Sequence, residues 1–205
     1  NKILLGKSQI NIDQFYVLLL VCNDVKILEI PSYIKYIKES CIRKKNKLKK
    51  IIFNNDSDLV SIEKYAFENA LIEELVIPSK CINIGKSAFE CNKFLKKIIF
   101  AKNSKIKNIS EEAFSKTSIK SIIIPSTVEH FQINAFTHCN KIRSIELLAS
   151  SLIIENKYSI ANIKIQIVSI PNASFVKYSN RYFSNPKFVL FVKAKSTFNT
   201  TVSLS

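Results

Sequence analysis

The side chains able to do covalent or acid–base chemistry are few and scattered. His130 and His138 lie eight residues apart, and neither belongs to a His-Glu-x-x-His segment or to a nucleophile motif. The cysteines are Cys22, Cys41, Cys81, Cys91 and Cys139, an odd number with no Cys-x-x-Cys pair. That pattern suggests neither a disulfide framework nor a zinc site, and burial in a core is the default reading of such thiols. Gly6 and Gly85 are the only glycines, so no glycine-rich phosphate loop exists. No catalytic residue, metal site or cofactor is therefore expected, and the chain does not read as an enzyme.

What remains is the chemistry of surfaces. The net charge is +15, which draws anionic partners over long range. Ile, Lys and Asn dominate together, as in an A/T-rich coding sequence, so compositional drift is the competing explanation for this charge. Arg43, Lys44, Lys45, Lys47, Lys49 and Lys50 form the densest cluster, followed by Lys93, Lys96 and Lys97 and then by Lys141 and Arg143. The cluster reads either as a patch for an anionic partner or as a solvated face. Nucleic acid is not expected, because no aromatic residues interleave with these charges as stacking platforms.

An internal period supplies the elements that must position these residues. Ile-Pro recurs at Ile30-Pro31, Ile77-Pro78, Ile124-Pro125 and Ile170-Pro171, with steps of 47, 47 and 46 residues. Ile51-Ile52-Phe53, Ile98-Ile99-Phe100 and Ile145-Glu146-Leu147 fall almost midway, which makes the unit 23–24 residues long. That length lies in the range of leucine-rich repeats. Alternation within each strand predicts inward residues at Leu4, Leu28, Ile51, Leu75, Ile98, Ile122, Ile145, Val168 and Val192. Ile77, Phe100 and Ile124 are expected to be buried with them. A second mark runs in phase: Ala-Phe at Ala66-Phe67, Ala88-Phe89, Ala113-Phe114 and Ala135-Phe136, with Cys41-Ile42 and Ser159-Ile160 in the same slot. Each Phe is expected to fill the space between coils. No unit can bury its apolar side alone, so stacking supplies the stability.

The outward strand positions read Leu5, Glu29, Ile52, Val76, Ile99, Ile123, Glu146 and Ser169. Four central repeats thus turn an aliphatic side chain to solvent, either as a binding strip or through strand propensity alone. Lys50 and Lys97 stand one step before this ladder on the same face, alternating with Glu74 and Ser121.

The stretches IEELVIPSKCINIGKSAFECNKFLKKIIF (72–100) and IKSIIIPSTVEHFQINAFTHCNKIRSIEL (119–147) resemble the BspA-like family of leucine-rich repeats, also called the Treponema-type repeat. Its pattern is roughly L-x-x-I-x-I-P-x-x-V-x-x-I-x-x-x-A-F-x-x-C, and the likeness runs over about residues 2–192. Cys91 sits one position early, Cys81 replaces the usual apolar residue, the usual Gly is present only at Gly85, and the first and last units match poorly. The expected fold is an α/β leucine-rich-repeat solenoid. It is a right-handed, curved stack of about eight to nine repeats, with a parallel β-sheet on the concave face and short helical or irregular turns opposite. Residues 1–193 form the solenoid, and residues 194–205 a Ser/Thr-rich tail or linker.

The resemblance implies a cell-surface or extracellular protein linked to adhesion, with a protein or glycoprotein ligand and anionic character as a further option. A cytoplasmic interaction scaffold is the alternative, to which reduced, odd-numbered thiols are suited. No secretory signal is visible, and the apolar run from Phe15 to Cys22 is far short of a membrane span. The chain lacks Met and reads as a piece of a longer protein. Sequons at Asn55, Asn108, Asn172 and Asn199 would permit glycosylation in a secreted context.

Overall fold

A computed structural model describes residues 3–7 and 16–148 and, beyond these, the backbone of residues 151–155, 167–169, 175–178, 190–193 and 199–202. In chain order the strands are β1 (Ile3–Gly6), β2 (Val17–Val21), β3 (Ile27–Ile30), β4 (Tyr36–Ile37), β5 (Lys50–Phe53) and β6 (Ser61–Ile62). They continue as β7 (Glu74–Ile77), β8 (Asn83–Ile84), β9 (Lys97–Phe100), β10 (Asn108–Ile109), β11 (Ser121–Ile124) and β12 (His130–Gln132). The last are β13 (Ser144–Leu147), β14 (Ser151–Glu155), β15 (Ile167–Ser169), β16 (Phe175–Tyr178), β17 (Leu190–Lys193) and β18 (Asn199–Val202).

Each coil contributes one longer strand and one shorter strand to two parallel walls. The longer strands hold the register anticipated from the period: Leu28 faces Ile51, Leu75 faces Ile98, and Ile122 faces Ile145. The opposite wall carries more than turns. It is a nine-stranded sheet in the order β1-β2-β4-β6-β8-β10-β12-β14-β16, many of whose strands are only two residues long. The turn at Ile133–Phe136 winds into a 3₁₀-helix.

The long-strand wall is not one sheet. Hydrogen-bonded ladders join β3 to β5, β7 to β9, and β11 through β13, β15 and β17 to β18, with breaks between β5 and β7 and between β9 and β11. Both breaks fall where the unit is one residue longer, from Ile51 to Leu75 and from Ile98 to Ile122. The shorter steps, from Leu28 to Ile51, Leu75 to Ile98, Ile122 to Ile145 and Ile145 to Val168, all keep their ladders. Within a longer coil, the path from inward long-strand residue to inward short-strand residue (Ile51 to Ile62) exceeds that of a shorter one (Leu28 to Ile37) by two positions. The extra chain shifts the strand away from ladder distance.

A third wall is made by the Ala-Phe turns, and the backbone hydrogen bonds that join its coils run one way. The amides of Ser40, Ile42 and Lys44 donate to the carbonyls of Lys64, Ala66 and Glu68 in the next coil. Tyr65, Phe67 and Asn69 donate in turn to Lys86, Ala88 and Glu90, and Ser87, Phe89 and Cys91 to Glu111, Ala113 and Ser115. The intervening amides close turns within the coil, as from Ala66 to Glu63 and from Glu68 to Tyr65. This geometry demands left-handed backbone two residues before and two after Phe67, Phe89 and Phe114. Tyr65, Asn69, Ser87, Cys91, Glu112 and Lys116 accordingly all have φ between 52° and 61°. Non-glycine residues pay for that conformation with roughly 1–2 kcal/mol each, offset here by the bonds that the turn amides make.

The core follows the expected phase. Leu75, Ile77, Ile98, Ile122 and Ile124 are buried, and Phe67, Phe89, Phe114 and Phe136 have no solvent exposure. The four rings form a column with centroid separations of 5.0, 5.6 and 5.2 Å and interplanar angles of 4°, 12° and 22°. Cys41 and Ile42 fill the same slot in the coil below, while Ser159-Ile160 lies outside the described residues.

Three expectations need correction. Leu4 is not an inward residue and Leu5 not an outward one: β1 pairs antiparallel with β2 on the short-strand wall, leaving Leu4 55% exposed while Ile3 and Leu5 pack on the core. Phe100 is half-buried, as is Phe53; each ends the strand that opens one of the longer coils. At the far end β17 pairs Leu190, rather than Val192, with Val168.

Candidate binding surface

The outer face of the long-strand wall is built by alternation. Inward Leu75 and Ile77 force Val76 out, and the same logic turns Ile52, Ile99 and Ile123 to solvent. Val76, Ile99 and Ile123 are 49%, 40% and 55% exposed, and Ile52 is half-buried. Val76 and Ile99 stand directly opposite each other in the β7–β9 ladder. The strip is not evenly stepped, however, because each break opens a groove. The first, about 500 Å³, lies between β5 and β7 and is lined by Ile52, Phe53, Val76 and Ile99 with Lys49, Lys50, Glu73 and Glu74 on its polar side. The second, about 660 Å³, lies between β9 and β11, where Ile99, Phe100, Ile123 and Leu148 meet Lys97 and Ser121. Lys50 and Lys97 thus flank one groove each.

The basic cluster divides. Arg43 is committed to the fold: its guanidinium grips Glu68 through two nitrogens and lies 5.4 Å from the Tyr65 ring centroid. Lys45 donates to the Asn23 side chain at 2.6 Å. Lys44, Lys47 and Lys49 are exposed to solvent at the surface of the turn. Lys49 belongs to a row just ahead of the long strands. Its amide donates to the Lys26 carbonyl, as Lys96 does to Glu73 and Arg143 to Lys120, each at 2.8 Å. Phe94 sits within this basic margin, 51% exposed between Lys93 and Lys96. Sequence reasoning passes over it; the available signal is that the positions one double repeat to either side, Lys47 and Lys141, are both lysine.

The thiols are held for packing and capping. Cys41, Cys81 and Cys139 are buried, Cys91 is half-buried and Cys22 is exposed, and none of the five is in a disulfide. Burial pushes Cys41 and Cys81 up to about 12 from an ordinary 9.0 and raises Cys139 and Cys91 as well. At neutral pH the buried Cys41, Cys81 and Cys139 stay protonated and poorly reactive. The Cys139 thiol donates to the Phe114 carbonyl at 3.0 Å. Thr117 caps that same carbonyl, and Asn92 caps the carbonyls of Phe67 and Phe89. The slot three residues after Phe89, Phe114 and Phe136 therefore holds a donor, though the one after Phe67 is Ala70. Asn92 serves after Phe89, where Cys91 sits one position early. His130 and His138 are exposed. Among the described residues no group of three or more His, Cys, Asp or Glu is placed to hold a metal, and no helix is long and apolar enough to cross a membrane.

Two outcomes follow for the thiols. In a native maleimide titration Cys22 should label promptly and Cys91 more slowly, with Cys41, Cys81 and Cys139 labelling only after unfolding; mass spectrometry of the adducts checks this. The unfolded chain ionises its thiols near 9.0 while Cys41 and Cys81 stay protonated in the fold to about 12. Their contribution to stability is whole below the lower of these values and is lost as pH rises through that window.

The two parallel walls, the Ala-Phe turns and the regular recurrence of both define the class: a leucine-rich-repeat solenoid. More particularly, the chain belongs to the BspA type leucine rich repeat family, whose model matches residues 10–143 and 107–203 in six copies. Among solved structures it is similar to the pneumococcal vaccine antigen PcpA, with 20% identity, a TM-score of 0.50, and coverage of 86% of this chain and 70% of that one. A leucine rich cell surface protein from Faecalibacterium prausnitzii is 15% identical with a TM-score of 0.43, covering 76% of this chain and 50% of that one. No curated protein matches the sequence.

Proposed function

We propose that this chain is a non-catalytic protein-binding module of a cell-surface protein, engaged in adhesion or in recognition of host or matrix molecules. The observation that carries the reading is the strip Ile52, Val76, Ile99 and Ile123, which opens into two apolar grooves on an otherwise strongly basic protein. Exposed contiguous apolar surface of this kind marks interaction sites. Lys50 and Lys97 beside it would speed and orient the encounter with an acidic-edged partner, while apolar contact carries most of the affinity. Lys44, Lys47 and Lys49 would extend the anionic preference, with Arg43 and Lys45 acting through the fold. Family membership supports the surface reading.

Replacing Ile99 and Ile123 with Ser should leave the fold intact, since both side chains point away from the core. It should weaken capture of solubilised matrix protein tenfold or more, at roughly 1 kcal/mol per lost contact. Unchanged capture by a variant of native circular dichroism would remove the strip as the site. The five cysteines, none of them in a disulfide, favour a second reading, an intracellular interaction scaffold. Labelling intact cells with an impermeant biotin reagent separates the two, because an internal scaffold stays unlabelled.

A further inference from the structure

Three rows ahead of the long strands repeat at an interval of one double repeat: Lys26, Glu73 and Lys120; Lys49, Lys96 and Arg143; and Lys47, Phe94 and Lys141. The first two lie side by side, joined by the backbone bonds from Lys49 to Lys26, Lys96 to Glu73 and Arg143 to Lys120. Glu73 is the one acidic member, and Lys96 offsets it at 3.8 Å. The margin of the long-strand wall is thus a basic stripe with one exposed aromatic ring, Phe94, at its centre.

We propose that this stripe binds a linear sulfated polysaccharide laid along the solenoid axis, with a sugar ring on the face of Phe94 and sulfate groups on the flanking cations. The spacing fits. On the short-strand wall, where every step is hydrogen-bonded, two coils advance roughly 10 Å, about the length of one disaccharide, so Lys49, Lys96 and Arg143 meet successive disaccharide units. The chemistry also disfavours the other polyanions. A bound peptide strand would need main-chain partners, yet the amides of Lys49, Lys96 and Arg143 are already bonded within the fold. A single-stranded nucleic acid calls for a succession of stacking platforms, and the stripe offers one. Duplex DNA carries about one charge per 1.7 Å of axis, far denser than the stripe. The stripe borders the Ile52–Ile123 strip, since Lys49 and Glu73 also line its first groove. Phe94, Lys96 and Arg143 line neither groove, so loss of binding at these three is distinguishable from failure of the strip.

The test is fluorescence anisotropy of a labelled, size-defined heparin oligosaccharide on the whole chain at about 0.15 M salt. The triple variant Lys49→Ser, Lys96→Ser, Arg143→Ser should lose tenfold or more in affinity. A charge-matched control, Lys64→Ser, Lys102→Ser, Lys105→Ser, removes exposed cations elsewhere and should lose less than threefold. Phe94→Ala should lose several-fold while leaving the slope of affinity against salt unchanged, because it removes no counterion release. Equal losses in the two triple variants would reduce the effect to net charge and overturn the proposal. So would tighter binding of a single-stranded DNA or polyglutamate probe of matched charge, which would assign the stripe to nucleic acid or to acidic protein. All of these residues are exposed, and thermal melts of each variant should coincide with the parent.

Discussion

Phe114→Ala is expected to cost about 3–5 kcal/mol and to lower the thermal midpoint by about 10 °C. Phe114 is fully buried and stacks on Phe89 at 5.6 Å and on Phe136 at 5.2 Å, so truncation removes two ring contacts and leaves a cavity in the middle of the column. The loss is larger in a stack than in a globule of equal size. Coils touch only their neighbours, and the parts above and below Phe114 communicate through that one layer. The transition should therefore broaden as well as move. Phe94→Ala serves as the control, since an exposed ring away from the core changes stability by about 0.5 kcal/mol or less. Equal midpoints for the two variants, by differential scanning calorimetry, would show that the column does not hold the coils together.

Gly85→Ala should destabilise by about 1–3 kcal/mol, against the usual sign for this exchange. Where space permits, an added methyl stiffens the unfolded chain and stabilises by roughly 0.4–1 kcal/mol. Space does not permit it here. A Cβ on Gly85 would lie 2.8 Å from the Lys64 amide nitrogen and 2.9 Å from the Glu63 carbonyl carbon, both backbone atoms of the preceding coil. Relief requires the coils to part, which stretches the 2.9 Å bond from the Gly85 amide to the Ile62 carbonyl; overpacking of that kind carries the stated cost. The equivalent position one coil on, Ser110, already carries a Cβ and bonds Ile84 at 3.0 Å. Ser110→Ala should be nearly neutral in a urea titration, and a Gly85→Ala variant as stable as the parent would refute the close approach.

The interior frame is legible because the inward positions recur with two independent marks in phase, the strand residues and the Ala-Phe pair. The N-terminal strand is not, for a simple reason. Ile3, Leu4 and Leu5 are all apolar, so alternation has no phase to read, and the side that faces the core is decided by pairing with β2. The broken ladders are written in the spacing, as a single extra residue in alternate units. One residue can be absorbed in a turn or expressed as a displaced strand, and the sequence does not distinguish these. Arg43 groups with its lysine neighbours along the chain, whereas its partner, Glu68, stands a full coil away, at a separation set by the turn wall rather than by the strand wall. The apolar strip itself is visible from alternation, but the grooves that give it depth are not.

The one-way bonding of the turn wall gives the molecule an electrical axis. Each of these coils presents N–H groups towards its successor and C=O groups towards its predecessor, so the peptide dipoles add along the stack much as they do along a helix. The two directions along the wall are consequently unlike. Cut between any two coils, it would show a set of donors on one face and a set of acceptors on the other. A further coil, whether from the same chain or from another molecule, can extend this wall only head to tail; set head to head, donors would meet donors. The solenoid thus has the grammar of an arrow, fixed by the left-handed residues that flank the buried phenylalanines.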